Sequence, residues 1–150
     1  MSELQVLHLT TKLISLACLL QAIELLQLKS IWSKNTIWDW DTLKNNFSKI
    51  YQIILSPVLK DSGYYSLLVL TVLLSILGIL TNNYYILPVL LVTSYLSSMR
   101  WGGSFNGGSD YMTILVLLTS TSAFLLPQYS HYIWIYLGVQ VVLSYFISGV

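Results

Sequence analysis

The chain has 150 residues, of which 55% are apolar and only 9% are Asp, Glu, Lys or Arg, and its formal net charge is +1. A soluble domain carries about 25% charged residues, and a disordered chain needs polarity and charge that are missing here. There is no basic field to attract nucleic acid. A single cysteine excludes an internal disulfide, and no zinc-type Cys/His spacing exists. The class that remains is an integral membrane protein.

The first element is predicted as one long helix over about residues 4–28. Its run Leu13 to Leu28 is apolar except for Ser15, Gln21, Glu24 and Gln27. His8, Thr11, Lys12 and Ser15 share one face of its upstream part. The segment has neither a basic start nor an Ala-x-Ala exit, so it is expected to stay as a span rather than be cleaved. Cys18 is expected as a small apolar residue within it.

Residues 29–61 hold most of the basic groups. Within them Trp40, Leu43, Phe47, Ile50 and Ile54 recur at helical spacing, opposite Lys44, Asn45, Ser48, Lys49 and Gln52. This pattern predicts an amphipathic interfacial helix over about 38–55, with Asp39 as N-cap and Pro57 as terminator. The acceptor-like triplet Asn46-Phe47-Ser48 lies on this helix and is read as a chance match.

Residues 62–99 and 111–150 then carry no Asp, Glu, Lys or Arg at all. Since a span needs about 20 apolar residues, each stretch is long enough for two. Thr81-Asn82-Asn83 breaks the first and Pro127-Gln128-Tyr129-Ser130-His131 the second. The aromatics Tyr64, Tyr65, Tyr84, Tyr85, Tyr129, Tyr132 and Trp134 flank these breaks, as an interfacial belt would. Spans are therefore expected at about 63–81, 84–100, 110–127 and 131–150. The fold class expected is all-α, a polytopic membrane helix bundle of about five transmembrane helices plus one interfacial amphipathic helix, forming a single membrane domain over 1–150. The charge asymmetry places the 29–61 loop in the cytoplasm and the N-terminus outside.

Between the third and fourth long helices runs MRWGGSFNGGSDY, from Met99 to Tyr111. Its glycines break any helix and allow close backbone approach. Arg100 and Asp110 are the only charges after Asp61, and a charge beside a span is usually conformational or functional. Two readings stand. One is a tight turn in which Arg100 and Asp110 reach the headgroups and pair. The other is a re-entrant backbone lining a polar pocket, with Arg100 and Asn106 facing a bound anion or oxygen. The ligand or loop candidates are Arg100, Asn106, Gly107, Gly108 and Asp110. Two polar stripes accompany them. Ser94, Ser97, Ser98 and Trp101 share a face of the third long apolar helix, and Tyr136, Gln140, Ser144 and Ser148 share a face of the last. Thr119-Ser120-Thr121-Ser122 crowds the fourth. Such stripes serve helix packing or line a lumen. No nucleophile–base pair, metal cluster or acid pair within one span is readable.

The run Asn106-Gly107-Gly108-Ser109-Asp110 opening an apolar helix, followed by Gln140 and then Tyr145-Phe146-Ile147-Ser148-Gly149, resembles the HTTM family of membrane relatives of vitamin K-dependent γ-glutamyl carboxylase. The order of a first span, a Trp-bearing amphipathic loop and a close helix pair is also similar. The resemblance implies a membrane helix bundle but not the family's chemistry. The lysines that follow the Tyr-Phe-x-x-Gly run in the carboxylase have no counterpart here, and Gly108 stands where its functional histidine would be. The function expected is a non-catalytic accessory or structural subunit of a larger membrane complex, with a lipid or quinone as the ligand class left open. Its expected partners are the bilayer and other membrane subunits, not nucleic acid. The alternatives are the membrane part of a split carboxylase-like enzyme, or a small carrier or sensor with an intramembrane polar pocket.

Overall fold

A computed structural model describes residues 2–33, 36, 38–101 and 108–148, with backbone alone for Gly108, Ser109, Tyr145, Ile147 and Ser148. The described chain is helical throughout. Helix α1 spans Glu3–Gln27 and is followed by a single turn, α2 (Lys29–Trp32). A second short turn, α3 (Trp40–Leu43), runs into a 3-10 turn at Lys44–Asn46, and α4 covers Lys49–Leu59. The long helices α5 (Asp61–Leu80), α6 (Ile86–Arg100), α7 (Gly108–Leu125) and α8 (Ser130–Ser148) complete the chain.

Local chemistry explains these limits. Ser2 caps α1 through a reciprocal box with Gln5, which satisfies two otherwise orphaned backbone donors. Thr81 ends α5, and its hydroxyl donates to the Leu77 carbonyl at 2.7 Å. Asn83 then accepts from the Tyr85 N–H at 3.1 Å and turns the chain into α6. Pro88 falls in the first turn of α6, where its missing N–H leaves no intrahelical bond unmade.

The side chains are distributed inside out relative to a soluble protein. Thr11, Ser15, Cys18 and Ala22 share the buried face of α1 with Leu7 and Ile14, whereas Leu9, Leu13, Leu16 and Leu20 point outward. Thr71, Ser75 and Gly78 of α5 and Thr119, Ser120 and Thr121 of α7 are buried in the same way, with Leu73, Leu80, Leu118 and Leu125 outside. Small residues let helix backbones approach closely. At Gly78 a Cβ would stand about 3.1 Å from the Cβ of Ser15. Helix α1 is the central strut of the molecule, packed on α5, α6 and α7. The first span therefore presents Thr11 and Ser15 to the core rather than to a polar exterior.

Two expectations are corrected. Five helices form close to the expected boundaries, yet among the described residues only α1 and α5 are each long and apolar enough to cross a membrane. The pair α7 and α8, bent by 115°, adds a third if it counts as one span. Helix α6 has 15 residues, short of the roughly 20 that a crossing needs. The expected interfacial helix over 38–55 is also not continuous. Extended backbone at Phe47 and Ser48 splits it. Trp40 and Leu43 bury against Leu55 and Leu59, while Ile50 and Ile54 are exposed. Pro57 does not terminate α4, which continues to Leu59. The stop comes at Lys60, whose extended backbone starts α5. The two helices meet so closely there that a Cβ on Gly63 would overlap the carbonyl oxygens of Pro57 and Val58.

Candidate functional site

Two polar constructions lie next to each other in the helix assembly, and Arg100 organises the first. It is the last residue of α6 and only 1% exposed. Its Nη2 donates to the carbonyl of Trp32 at 2.7 Å, and its Nη1 donates to the carbonyl of Trp38. The same Nη2 lies 3.7 Å from Asp61 Oδ1 at the start of α5, and the guanidinium carbon sits 5.5 Å from the Tyr64 ring centroid. A planar fork of donors suits this task, because two carbonyls from one loop can be held at once. The Trp32 indole is fixed in turn by donating to the Leu25 carbonyl at 2.8 Å and by an edge-on contact with Tyr64 at 5.0 Å.

Among the described residues Arg100 is ion-paired with Asp61 and not with Asp110, the partner the turn reading expects. Both of its terminal nitrogens are committed to the 32–38 loop, with Asp61 as the acidic neighbour. Asn106 and Gly107 lie outside the described residues. Gly108 is the first residue of α7.

The second construction is a cleft of about 310 Å³ between α1, α5, α6 and α7. Its walls carry Gln21 and Glu24 from α1, Thr71 from α5, Ser94, Ser97 and Ser98 from α6, and Asp110 and Thr113 from α7, with Trp101 beyond the end of α6. Leu25, Leu28, Leu68 and Ile114 supply the apolar part. The polar side chains are locked by bonds across helices. Gln21 Nε2 donates to Thr113 Oγ1 at 2.9 Å. Trp101 Nε1 donates to the Tyr64 hydroxyl at 3.1 Å, and that hydroxyl is hydrogen-bonded to Ser97 Oγ at 3.0 Å. Tyr64 thus joins the two constructions, being bonded to the cleft wall and lying against Arg100. Trp101 also packs on Trp38, with ring centroids 5.4 Å apart.

The stripe Ser94, Ser97, Ser98 and Trp101 is brought together as one wall of this cleft. The stripe on α8 is not among its lining residues. Tyr136 is exposed, Gln140 is half-buried, and the Ser144 hydroxyl donates to Met112 Sδ of α7 at 3.5 Å. The side chain of Ser148 lies outside the described residues. Sequence reasoning did not single out Gln21, Glu24, Asp61 or Thr113 as site residues, and it placed Tyr64 in an interfacial belt, whereas the ring is fully buried. For Glu24 a signal existed, because it is the only charge in an otherwise apolar run. No protein-family model, curated protein or solved structure matches the chain.

Proposed function

We propose that the chain is part of a multi-pass membrane protein related to the HTTM proteins, and that it acts as an accessory subunit of a larger membrane complex. In this reading all five long helices lie in the bilayer, with Tyr84, Tyr85 and Trp101 extending the short α6 to both interfaces. The inside-out distribution of side chains supports embedding, because Leu and Ile belong outside only where the surroundings are apolar. The observation that carries the accessory role is α8. It leans mainly on α7 and turns Tyr132, Ile135, Val139, Val142 and Phe146 outward, a continuous face for lateral packing against another membrane helix. The placement of Gly108 and Asp110 at the opening of α7 agrees with the family reading.

Purification of the tagged chain from its native membrane in mild detergent tests the role. A stoichiometric larger partner is expected, and Val142→Trp on the outer face of α8 should release it while leaving the chain folded. A chain that runs alone, with unchanged mass in the variant, would overturn the reading. The cleft favours a second reading, that of a small carrier or sensor with a polar pocket between its helices.

A further inference from the structure

We infer that the cleft between α1, α5, α6 and α7 binds a small organic amine in its ammonium form, with Glu24 and Asp110 as counter-charges and Trp101 as an aromatic wall. This rests on the carrier or sensor reading and names its ligand class.

The argument starts from the charge inventory. Glu24 and Asp110 both line the cleft, and no Lys, Arg or His does so among the described residues. The two carboxylates enter it from different helices, Glu24 from α1 and Asp110 from the start of α7. Among the described residues, the neighbouring cations are engaged elsewhere. Arg100 holds the Trp32 and Trp38 carbonyls beside Asp61, and the Lys29 ammonium lies 5.3 Å from the Tyr65 ring centroid. Asp110 is half-buried and Glu24 sits at the exposed rim of the cleft, and one bound ammonium answers both charges at once.

The remaining lining suits the same guest. Ser94, Ser98 and Thr113 bring hydroxyl oxygens that accept from an N–H. Gln21 donates through its amide nitrogen to Thr113, which leaves a carbonyl oxygen at the other end of the amide as an acceptor. Trp101 adds the ring type that attracts cations most strongly. Leu25, Leu68 and Ile114 give the hydrocarbon part of an amphiphilic amine an apolar seat. The volume of about 310 Å³ is at the small end of ligand sites, which run from roughly 300 to 1,000 Å³. An anion would meet like charge here, and a neutral quinone would leave both carboxylates unanswered.

The test uses the full chain in dodecyl maltoside, whose head group is neutral and free of amines. Calorimetric titration compares phenethylamine, 2-phenylethanol and phenylacetate, each corrected against empty micelles. Phenethylamine should bind at least tenfold more tightly than the other two. Glu24→Gln and Asp110→Asn should each weaken it at least tenfold while leaving 2-phenylethanol unchanged. If Asp110→Asn lowers the melting temperature, Glu24→Gln at its exposed position decides alone. Lysophosphatidylethanolamine added to the micelles separates two sources of the same chemistry. Competition identifies a lipid head group as the physiological amine, and no competition identifies a free one. Equal binding of the amine and the alcohol would overturn the ammonium assignment and leave the pocket reading intact. No binding of any probe would overturn both.

Discussion

Arg100 connects two backbone carbonyls, a carboxylate and an aromatic ring, and each contact reacts differently to substitution. Arg100→Lys keeps the charge but loses the fork, so one of the Trp32 and Trp38 carbonyls is left without its donor. A buried polar group without a partner costs about 1–3 kcal/mol, and a drop in unfolding free energy of that size is expected in reversible denaturation from mixed micelles. A double-mutant cycle between Arg100→Ala and Asp61→Ala should show coupling, whereas the cycle between Arg100→Ala and Asp110→Ala should be additive. Coupling to Asp110 instead would mean that the guanidinium faces the other way. At this scale the sequence marks Arg100 and Asp110 as exceptional charges but misses Asp61 as the partner of Arg100. Their closeness in the chain suggests a pair, while Asp61 becomes the neighbour only because α5 and α6 are antiparallel and start and stop at one level. The lining role of Gln21 and Glu24 stays hidden for a related reason. Each looks like an ordinary polar interruption of α1 until α7 is packed against it.

Among the elements, α4 shows how a correct periodicity misleads. Trp40, Leu43, Phe47, Ile50 and Ile54 keep helical spacing, yet the break at Phe47 and Ser48 re-aims everything beyond it. After the break Leu55 and Leu59 face inward, and Ile50 is 70% exposed. Leu59→Ala should cost about 2–5 kcal/mol, as for a fully buried leucine. Ile50→Ala should stay within about 0.5 kcal/mol, and thermal unfolding of the two variants in parallel checks the difference. Equal losses would restore the single continuous helix. The α4–α5 junction supplies a second test. Gly63→Ala places a methyl group into the Pro57 and Val58 carbonyls, so the two helices must separate. Overpacking of this kind costs about 1–3 kcal/mol, and the loss should exceed that of Gly138→Ala, where a Cβ meets nothing within 4 Å. The five long helices were legible in the sequence because charge-free runs and turn residues mark their ends directly. The break near Ser48 was not, because an N-cap serine in an amphipathic stretch looks like any other residue of its polar face.

For the whole molecule, the proposed membrane role turns on how many helices cross. With five crossings, the loop after α5 and the loop between α7 and α8 lie on one side of the membrane, and the 33–60 region lies on the other. In a Cys18→Ala background, Asn82→Cys and Gln128→Cys should react with an impermeant maleimide from the same side, and Asn45→Cys from the opposite side. Protection of Gln128→Cys, with Asn82→Cys still reactive, would make α7 and α8 one bent span and reduce the count to four, or to three where the short α6 does not cross either. Composition settles the all-helical class, because so few charges and so many Leu, Ile and Val residues allow little else. It cannot set the crossing number, because hydropathy measures whether a segment tolerates lipid and not how it is tilted or packed.

The grip of Arg100 on the Trp32 carbonyl joins residues 68 positions apart in sequence. During synthesis the chain emerges from its N-terminus, so α1, α2 and the following loop are made long before their fastener exists. Until α6 is complete, those carbonyls have only water or lipid head groups as partners, and closure of so long a loop must wait for the last part of α6. The N-terminal third is thus a provisional structure in the nascent protein. A chain ending at Thr81 should be cut by trypsin after Lys29 and Lys44 far faster than one ending at Trp101. Factors that survey unfinished chains would meet this one in two distinct states, before and after α6 arrives.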